Sequence, residues 1–173
     1  MNGVLLFAIQ ETVVNLSKPK VDYLKLAEHC ASQISEHMSV PVSLVTNTSC
    51  KSKIFDKIIK VNLHSKQTKK IAGEQILWIN FDRYKCWECT PYENTLVMDT
   101  DFIIKNNSLC HVFDTGKDLL INKTYTDING RTDKTVERLA EHGIDMYWAT
   151  VFYFNKNNRT KIFFDLVEHI QKN

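Results

Sequence analysis

The chain has 173 residues, of which 43% are hydrophobic and 24% charged, enough for one domain with a real core and too few for two full domains. The net charge of +2 gives no electrostatic case for a dedicated nucleic-acid binder, although Lys66, Lys69 and Lys70 leave room for a local basic patch. No apolar run approaches the ~20 residues that cross a bilayer, so no membrane span is expected.

Residues 4–9 form a continuous apolar run of strand length, the pattern of a strand buried on both faces in a parallel sheet. No basic n-region precedes it, and Gln10 and Glu11 interrupt it early, so it reads as a first strand and not a signal peptide. After Pro19, residues 21–38 carry Tyr23, Ala27, Cys30, Ile34 and Met38 on one helical face. Pro41 closes that helix, and residues 42–45 are the next strand. Such a βαβ unit predicts parallel strands. Residues 58–61 are a third short strand, and residues 64–73 are polar and lysine-rich, an exposed connection.

Residues 78–89 read as a helix that Pro91 stops. Residues 95–98 are an apolar strand ending in Asp99-Thr100-Asp101, after which Phe102, Ile103 and Ile104 resume apolar character. Residues 119–121 are a further strand. Asn129-Gly130 signals a turn, and Thr132 or Asp133 caps a short helix over 133–142, with Gly143 at its C-cap. Residues 148–154 are aromatic and β-branched, a strand by propensity. A final helix carries an apolar stripe at Phe163, Leu166, Val167 and Ile170. Strands alternating with helices predict a single α/β domain over residues 1–173, with a Rossmann-like, mainly parallel sheet flanked by helices.

The five cysteines are Cys30, Cys50, Cys86, Cys89 and Cys110. An odd count without a signal peptide favours reduced thiols and a cytoplasmic setting. Cys86-Trp87-Glu88-Cys89 is a Cys-x-x-Cys pair. A structural zinc site needs four ligands, and Cys110-His111 is the only complement at hand, so two ordinary thiols are the simpler reading. With five glycines in the whole chain, a glycine-rich phosphate loop is not expected.

The acidic pair stands out. Two carboxylates beside buried strand residues repel one another and lose hydration. A divalent cation relieves both costs. Oxygen ligands suit Mg2+ or Mn2+, which also bridge to phosphate oxygens. The carboxyl ends of parallel strands are also where open α/β sheets bind ligands. An isolated Asp-x-Asp is more often a turn or helix cap, so the surrounding sequence has to decide.

The segment TPYENTLVMDTDFII resembles the central motif of glycosyltransferases with the A-type, nucleotide-diphospho-sugar transferase fold, the glycogenin-like ones included. The order of the first strand, the βαβ unit ending in SLVTNTS and the FDKIIKV segment agrees. YWATVFYF is similar to a segment of uncharacterised phage glycosyltransferase-like proteins. The resemblance runs from about Gly3 to the C-terminus, and the Asp-x-Asp context is its most specific part.

The resemblance implies a sugar transfer from a nucleoside diphosphate sugar, in particular a UDP-sugar, to an acceptor that is a glycan, a protein or a modified DNA base. Asp99 and Asp101 would be the catalytic metal ligands. Asp99 would face the ribose and Asp101 would be the more direct ligand, with Thr100 contributing backbone contacts. Ala8, Ile9 and Gln10 would meet the base and ribose, and Gln10 is the better candidate because its amide offers both donor and acceptor. Arg83 could hold phosphate or sugar oxygens bidentately; a solvated helix face is the plain alternative. Ala149 and Thr150 would give the donor sugar a small-residue lining, and Trp148 would stack on it or sit in the core. Tyr84 reads as packing, and Asn80 is a weaker binding candidate.

Enzymes of this family usually continue past the strand that Trp148 begins, into a region holding a third metal ligand and acceptor contacts. This chain stops one helix later. Two expectations follow: a truncated or split enzyme completed by a partner chain or oligomer, or a non-catalytic nucleotide-sugar-binding module. A nucleotidyltransferase also uses paired carboxylates, but it would add a glycine-rich loop after the first strand, and AIQETVVN has none.

Overall fold

The computed structural model describes residues 1–10, 21–61, 68–71, 74–77, 81–123, 138–139, 144–145 and 147–173. Its centre is β1 (Asn2–Ala8), in which every residue from position 3 onward is buried. Alternate residues face opposite ways on a strand. Accordingly Val4, Leu6 and Ala8 enter one apolar cluster, and Leu5 and Phe7 enter the other. This is why the sequence shows an unbroken apolar run and not an alternation.

Helix α1 (Tyr23–Met38) covers the first face through Ala27, Cys30, Ala31, Ile34 and Met38. Asp22 caps its N-terminus by accepting from the Lys25 amide. The helix ends at Ser39, whose φ of 54° lies in the left-handed region. Strand β2 (Val42–Thr46) follows and pairs parallel with β1, and β3 (Lys57–Lys60) pairs parallel with β2. The predicted βαβ unit is therefore present, and β3 begins one residue earlier than the pattern suggested.

The expected connection over 64–73 needs correction. Thr68–Ile71 (β4) and Glu74–Leu77 (β5) form an antiparallel pair; backbone pairing there overrides a polar composition that carries no apolar period. The expected helix over 78–89 is broken into shorter pieces. Phe81–Lys85 is a 3-10 turn and Cys86–Cys89 a single α-turn, α2, while 78–80 lie outside the described residues. The chain then enters β6 (Asn94–Met98), which pairs parallel with β1 on the side opposite β2.

A 3-10 segment (Ser108–Asp114) packs Leu109, Val112 and Phe113 on the first face. Strands β7 (Leu119–Asn122) and β10 (Trp148–Asn155) complete the sheet, and β10 runs antiparallel to both β6 and β7. The strand order is β3-β2-β1-β6-β10-β7. The helix expected over 133–142 is also corrected within the described residues. Arg138–Leu139 (β8) and Ile144–Asp145 (β9) pair as a small antiparallel ribbon. The turn at 129–130 and the cap at Gly143 lie outside the described residues.

Helix α3 (Asn158–Lys172) closes the second face. A reciprocal capping box between Asn157 and Thr160 starts it. Its inward contacts differ from the predicted stripe: Thr160 and Phe164 are buried, whereas Leu166 and Ile170 are exposed. Phe164 meets Phe154 edge to face at a centroid distance of 5.0 Å, and that aromatic contact sets the helix rotation. Among the described residues, no helix is long and apolar enough to cross a membrane.

One glycine is fixed by close approach. A Cβ on Gly3 would lie 2.5 Å from the Tyr92 ring. Tyr92 is among the largest fully buried side chains, and its hydroxyl is held by Ser43 Oγ at 2.7 Å. The ring cannot retreat without losing that bond. Gly3→Ala should therefore destabilise the fold by about 3 kcal/mol, the upper part of the range for overpacking. Urea unfolding measures this, and a loss near zero would show that the ring can shift.

Candidate functional site

Strand order points to a candidate site before any side chain does. The chain runs from β1 outward through β2 to β3, then crosses to β6 on the other side of β1. The sheet order thus reverses between β1 and β6. In open α/β sheets such a switch point leaves a crevice at the carboxyl ends of the two strands, and ligands bind there. The residues that leave β1 there are Ile9 and Gln10, and those that leave β6 are Asp99, Thr100 and Asp101.

The amide of Asp99 donates to the Thr150 carbonyl at 2.9 Å, extending the β6–β10 ladder by one bond. Its side chain accepts from Arg83 Nη1. Arg83 Nη2 donates to the same Thr150 carbonyl at 2.9 Å. The guanidinium also lies over the Phe152 ring, 5.5 Å from its centroid. Arg83 thus joins the 3-10 turn to the ends of β6 and β10. The pair is largely buried, with side-chain exposures of 11% for Arg83 and 25% for Asp99.

Burial raises the pKa of the Asp99 carboxyl; Arg83 opposes this, and Asp101 adds to it. Burial likewise lowers the Arg83 pKa, against the pull of Asp99. Both shifts describe a pocket short of solvation for charge. Thr100 is buried, whereas Asp101 is exposed at the turn. One acid is therefore engaged by the protein and the other is open to ligands. The following loop is anchored to α1, because Gln33 Oε1 accepts from the Ile104 amide at 3.1 Å. Asp101 also acts on Cys30 of α1, whose thiol is pushed up to about 12, mainly by burial.

On the β1 side, Ala8 and Ile9 are buried, and Gln10 is half-buried. Asn47, just past β2, grips the Gln10 backbone at both ends. Its Oδ1 accepts from the Gln10 amide and its Nδ2 donates to the Gln10 carbonyl, each at 2.9 Å. Thr46 Oγ1 donates to the Ala8 carbonyl at 2.7 Å. These side chains continue the strand pairing beyond the ladder.

The remaining candidates fall as follows. Thr150 meets Asp99 and Arg83 through its carbonyl, and Ala149 is exposed. Trp148 lies in β10 paired with Asn122; its side chain is outside what the structure describes, as is Asn80. Tyr84 is buried in packing. Cys86 belongs to the second apolar cluster and Cys110 packs on the first, so they lie on opposite faces of the sheet and do not complete one zinc site. Burial raises the thiol pKa of both Cys86 and Cys89.

Sequence reading missed the Arg83–Asp99 pair, because 16 positions separate the two residues and no short motif links them. It also missed Asn47 and Asp22. An Asn directly after an apolar strand, in VSLVTN, was the available signal for Asn47.

The donor set suits a hard divalent cation. Carboxylate oxygens are its ordinary ligands, and Mg2+-type sites are often completed by phosphate oxygens and water. Among the described residues, no group of three or more His, Cys, Asp or Glu side chains converges on one point. The residues that could hold such a cation are Asp99, through the oxygen not engaged by Arg83, and the exposed Asp101.

No family model matches the sequence, and no curated protein does. Solved structures do match in fold. The glycosyltransferase GlyE of Streptococcus pneumoniae superposes with a TM-score of 0.56 at 15% identity, over 99% of this chain and 39% of GlyE. An active-site mutant of LgtC gives 0.60 at 12% identity, over 92% of this chain and 59% of LgtC. Mouse xyloside xylosyltransferase 1 gives 0.53 at 12% identity, over 99% of this chain and 72% of that enzyme. The fold is thus the A-type glycosyltransferase fold, and the chain spans about two to three fifths of GlyE and LgtC.

Proposed function

We propose that this chain binds a nucleoside diphosphate sugar, a UDP-sugar in particular, at the β1/β6 switch point, as the donor-binding part of a metal-dependent glycosyltransferase. One observation carries the reading: an acidic pair at the carboxyl end of β6, one acid ion-paired and one exposed, beside the crevice of this fold. The fold neighbours support it, since they are glycosyltransferases. LgtC has been seen with donor and acceptor sugar analogues.

In this reading Asp99 and Asp101 hold Mn2+ or Mg2+ together with the donor diphosphate. When bound, the cation supplies Lewis-acid stabilisation of charge on the leaving diphosphate. Gln10, with the ends of β1 and β2, receives the nucleoside. Ala149 lines the sugar side, and Trp148 and Thr150 stand in the same strand. Arg83 opposes the burial-driven rise of the Asp99 pKa and orients its carboxylate. The acceptor's hydroxyl attacks the anomeric carbon; the acceptor itself is a glycan, a protein or a modified base.

A second reading is a binding module that acts with a partner chain. The two-carboxylate donor set among the described residues favours it, because any third ligand would come from outside that set. Calorimetry separates both readings from a merely structural acidic turn. UDP should bind in the presence of Mn2+ and lose most of its affinity with EDTA. Equal binding with and without metal would sink the metal site. Release of sugar from a UDP-sugar by this chain alone would eliminate the pure binding module.

A further inference from the structure

Two hydrogen bonds from backbone amides bracket the acidic turn. Upstream, the Asp99 amide donates to the Thr150 carbonyl at 2.9 Å, so the β6–β10 ladder holds Asp99. Downstream, the Ile104 amide donates to Gln33 Oε1 of α1 at 3.1 Å. Among the described residues, no hydrogen bond from residues 100–103 reaches another element. Asp101 lies in that interval and is exposed, so its place depends on where the two bonds put the ends of the turn.

Packing alone does not set the downstream end. Phe102 and Ile104 lie against the apolar cluster that α1 enters, and apolar contact is non-directional. A hydrogen bond weakens steeply as its angle closes. Gln33 therefore fixes the height at which the segment meets α1. The direction of its amide is fixed too, because a backbone N–H only donates and the oxygen must face it. Cys30 stands one turn earlier on the same side of α1, and its thiol feels the Asp101 charge. The acid and the tie thus meet the same stretch of helix.

We infer that Gln33 is a positioning residue for the cation: by holding the Ile104 amide, it sets where the Asp101 carboxylate stands relative to Asp99. The inference rests on the metal-binding role proposed above and adds a residue outside the ligand set. Asp99 takes its place from β6, β10 and Arg83, whereas the turn carrying Asp101 takes its place from α1. Two ligands held by two frames have to keep a fixed separation, because a small cation such as Mg2+ accepts little departure from octahedral geometry. Sites of this kind need their ligands within about 0.5 Å of the productive arrangement.

Calorimetry of UDP, with Mn2+ and again with EDTA, tests it on the unaltered chain and three variants. Gln33→Met keeps the length of the side chain and removes the acceptor. It should weaken Mn2+-dependent UDP binding about 10-fold, the lower end of the loss when the support of a metal ligand is removed. The residual affinity in EDTA should not change. Gln33→Glu keeps an acceptor oxygen and should restore the affinity of the unaltered chain. Ala31→Gly loosens the same helix at a buried position without touching the bond. It should lower the urea midpoint and leave UDP affinity as it was. A loss in Gln33→Met that appears equally in EDTA, or that Ala31→Gly reproduces, assigns Gln33 to the fold alone and overturns the proposal. Full Mn2+-dependent affinity in Gln33→Met overturns it too, as does a Gln33→Glu chain as weak as Gln33→Met. An unaltered chain that binds UDP no better with Mn2+ than with EDTA overturns the metal site and the role of Gln33 together.

Discussion

Asp101→Asn should abolish most Mn2+-dependent nucleoside diphosphate binding, weakening it by at least about 100-fold. Substituting even an outer-shell partner of a metal costs about 10- to 100-fold in affinity, and Asp101 is proposed as a direct ligand. A 100-fold loss corresponds to about 2.7 kcal/mol. The fold should be untouched, because Asp101 is exposed at a turn, and exposed substitutions away from special features stay within about 0.5 kcal/mol. The substitution keeps size and polarity and removes only charge. Calorimetric titration of UDP with Mn2+, paired with a urea melt of the same sample, reads both quantities. Unchanged affinity in a folded Asp101→Asn protein would remove this residue from the site. An equal loss of stability and affinity would point to a structural role instead.

The elements that share an apolar period with their surroundings were legible in the sequence. Strand β1 showed as an unbroken run because both its faces are covered. Helix α1 showed because Ala27, Cys30, Ile34 and Met38 recur at helical spacing and are in fact buried. Elements decided by long-range contact were not legible. Leu166 and Ile170 fit a helical stripe as well as Phe164 does, yet Phe154 selects Phe164 from a strand that is nearby in space. The β4–β5 and β8–β9 ribbons carry no apolar signature, since backbone pairing defines them.

The candidate site divides in the same way. Asp99 and Asp101 were visible because a pair of charges directly after a buried strand is costly unless something compensates them. Their different environments were not visible. Nothing local distinguishes the acid that Arg83 engages from the acid left open, because Arg83 arrives from a different segment. Gln10 was visible as a polar residue at a strand end. The orientation of its amide depends on Asp22 and Asn47, which reach it only once α1 and β2 are in place. Sequence order therefore carried the location of the candidate site, and tertiary contact carried the environment of each group in it.

That environment gives the other large effect. Arg83→Leu should destabilise the chain by about 3 kcal/mol at neutral pH, since removing one member of a buried pair strands the other charge. The double variant Arg83→Leu/Asp99→Leu should recover most of the loss, because apolar replacement of a whole buried pair is often near neutral. The pH dependence has a fixed sign. The Asp99 pKa is raised in the fold by burial, with Asp101 adding to it, so the folded state holds the proton more tightly than the unfolded chain does. That contribution to stability is fully present below the ordinary carboxylate pKa and is lost as pH rises through the raised one. Without Arg83, which opposes the rise, the loss extends to higher pH. The single variant should therefore approach the parent in stability at acid pH and fall behind as pH rises, whereas the double variant should show no such trend. Urea unfolding from acid to neutral pH distinguishes these curves. A pH-independent deficit in Arg83→Leu would assign its cost to lost packing on Phe152 and not to a stranded Asp99. A cation held by Asp99 would lower its pKa again, so added Mn2+ should stabilise the Arg83→Leu variant more than the parent at neutral pH.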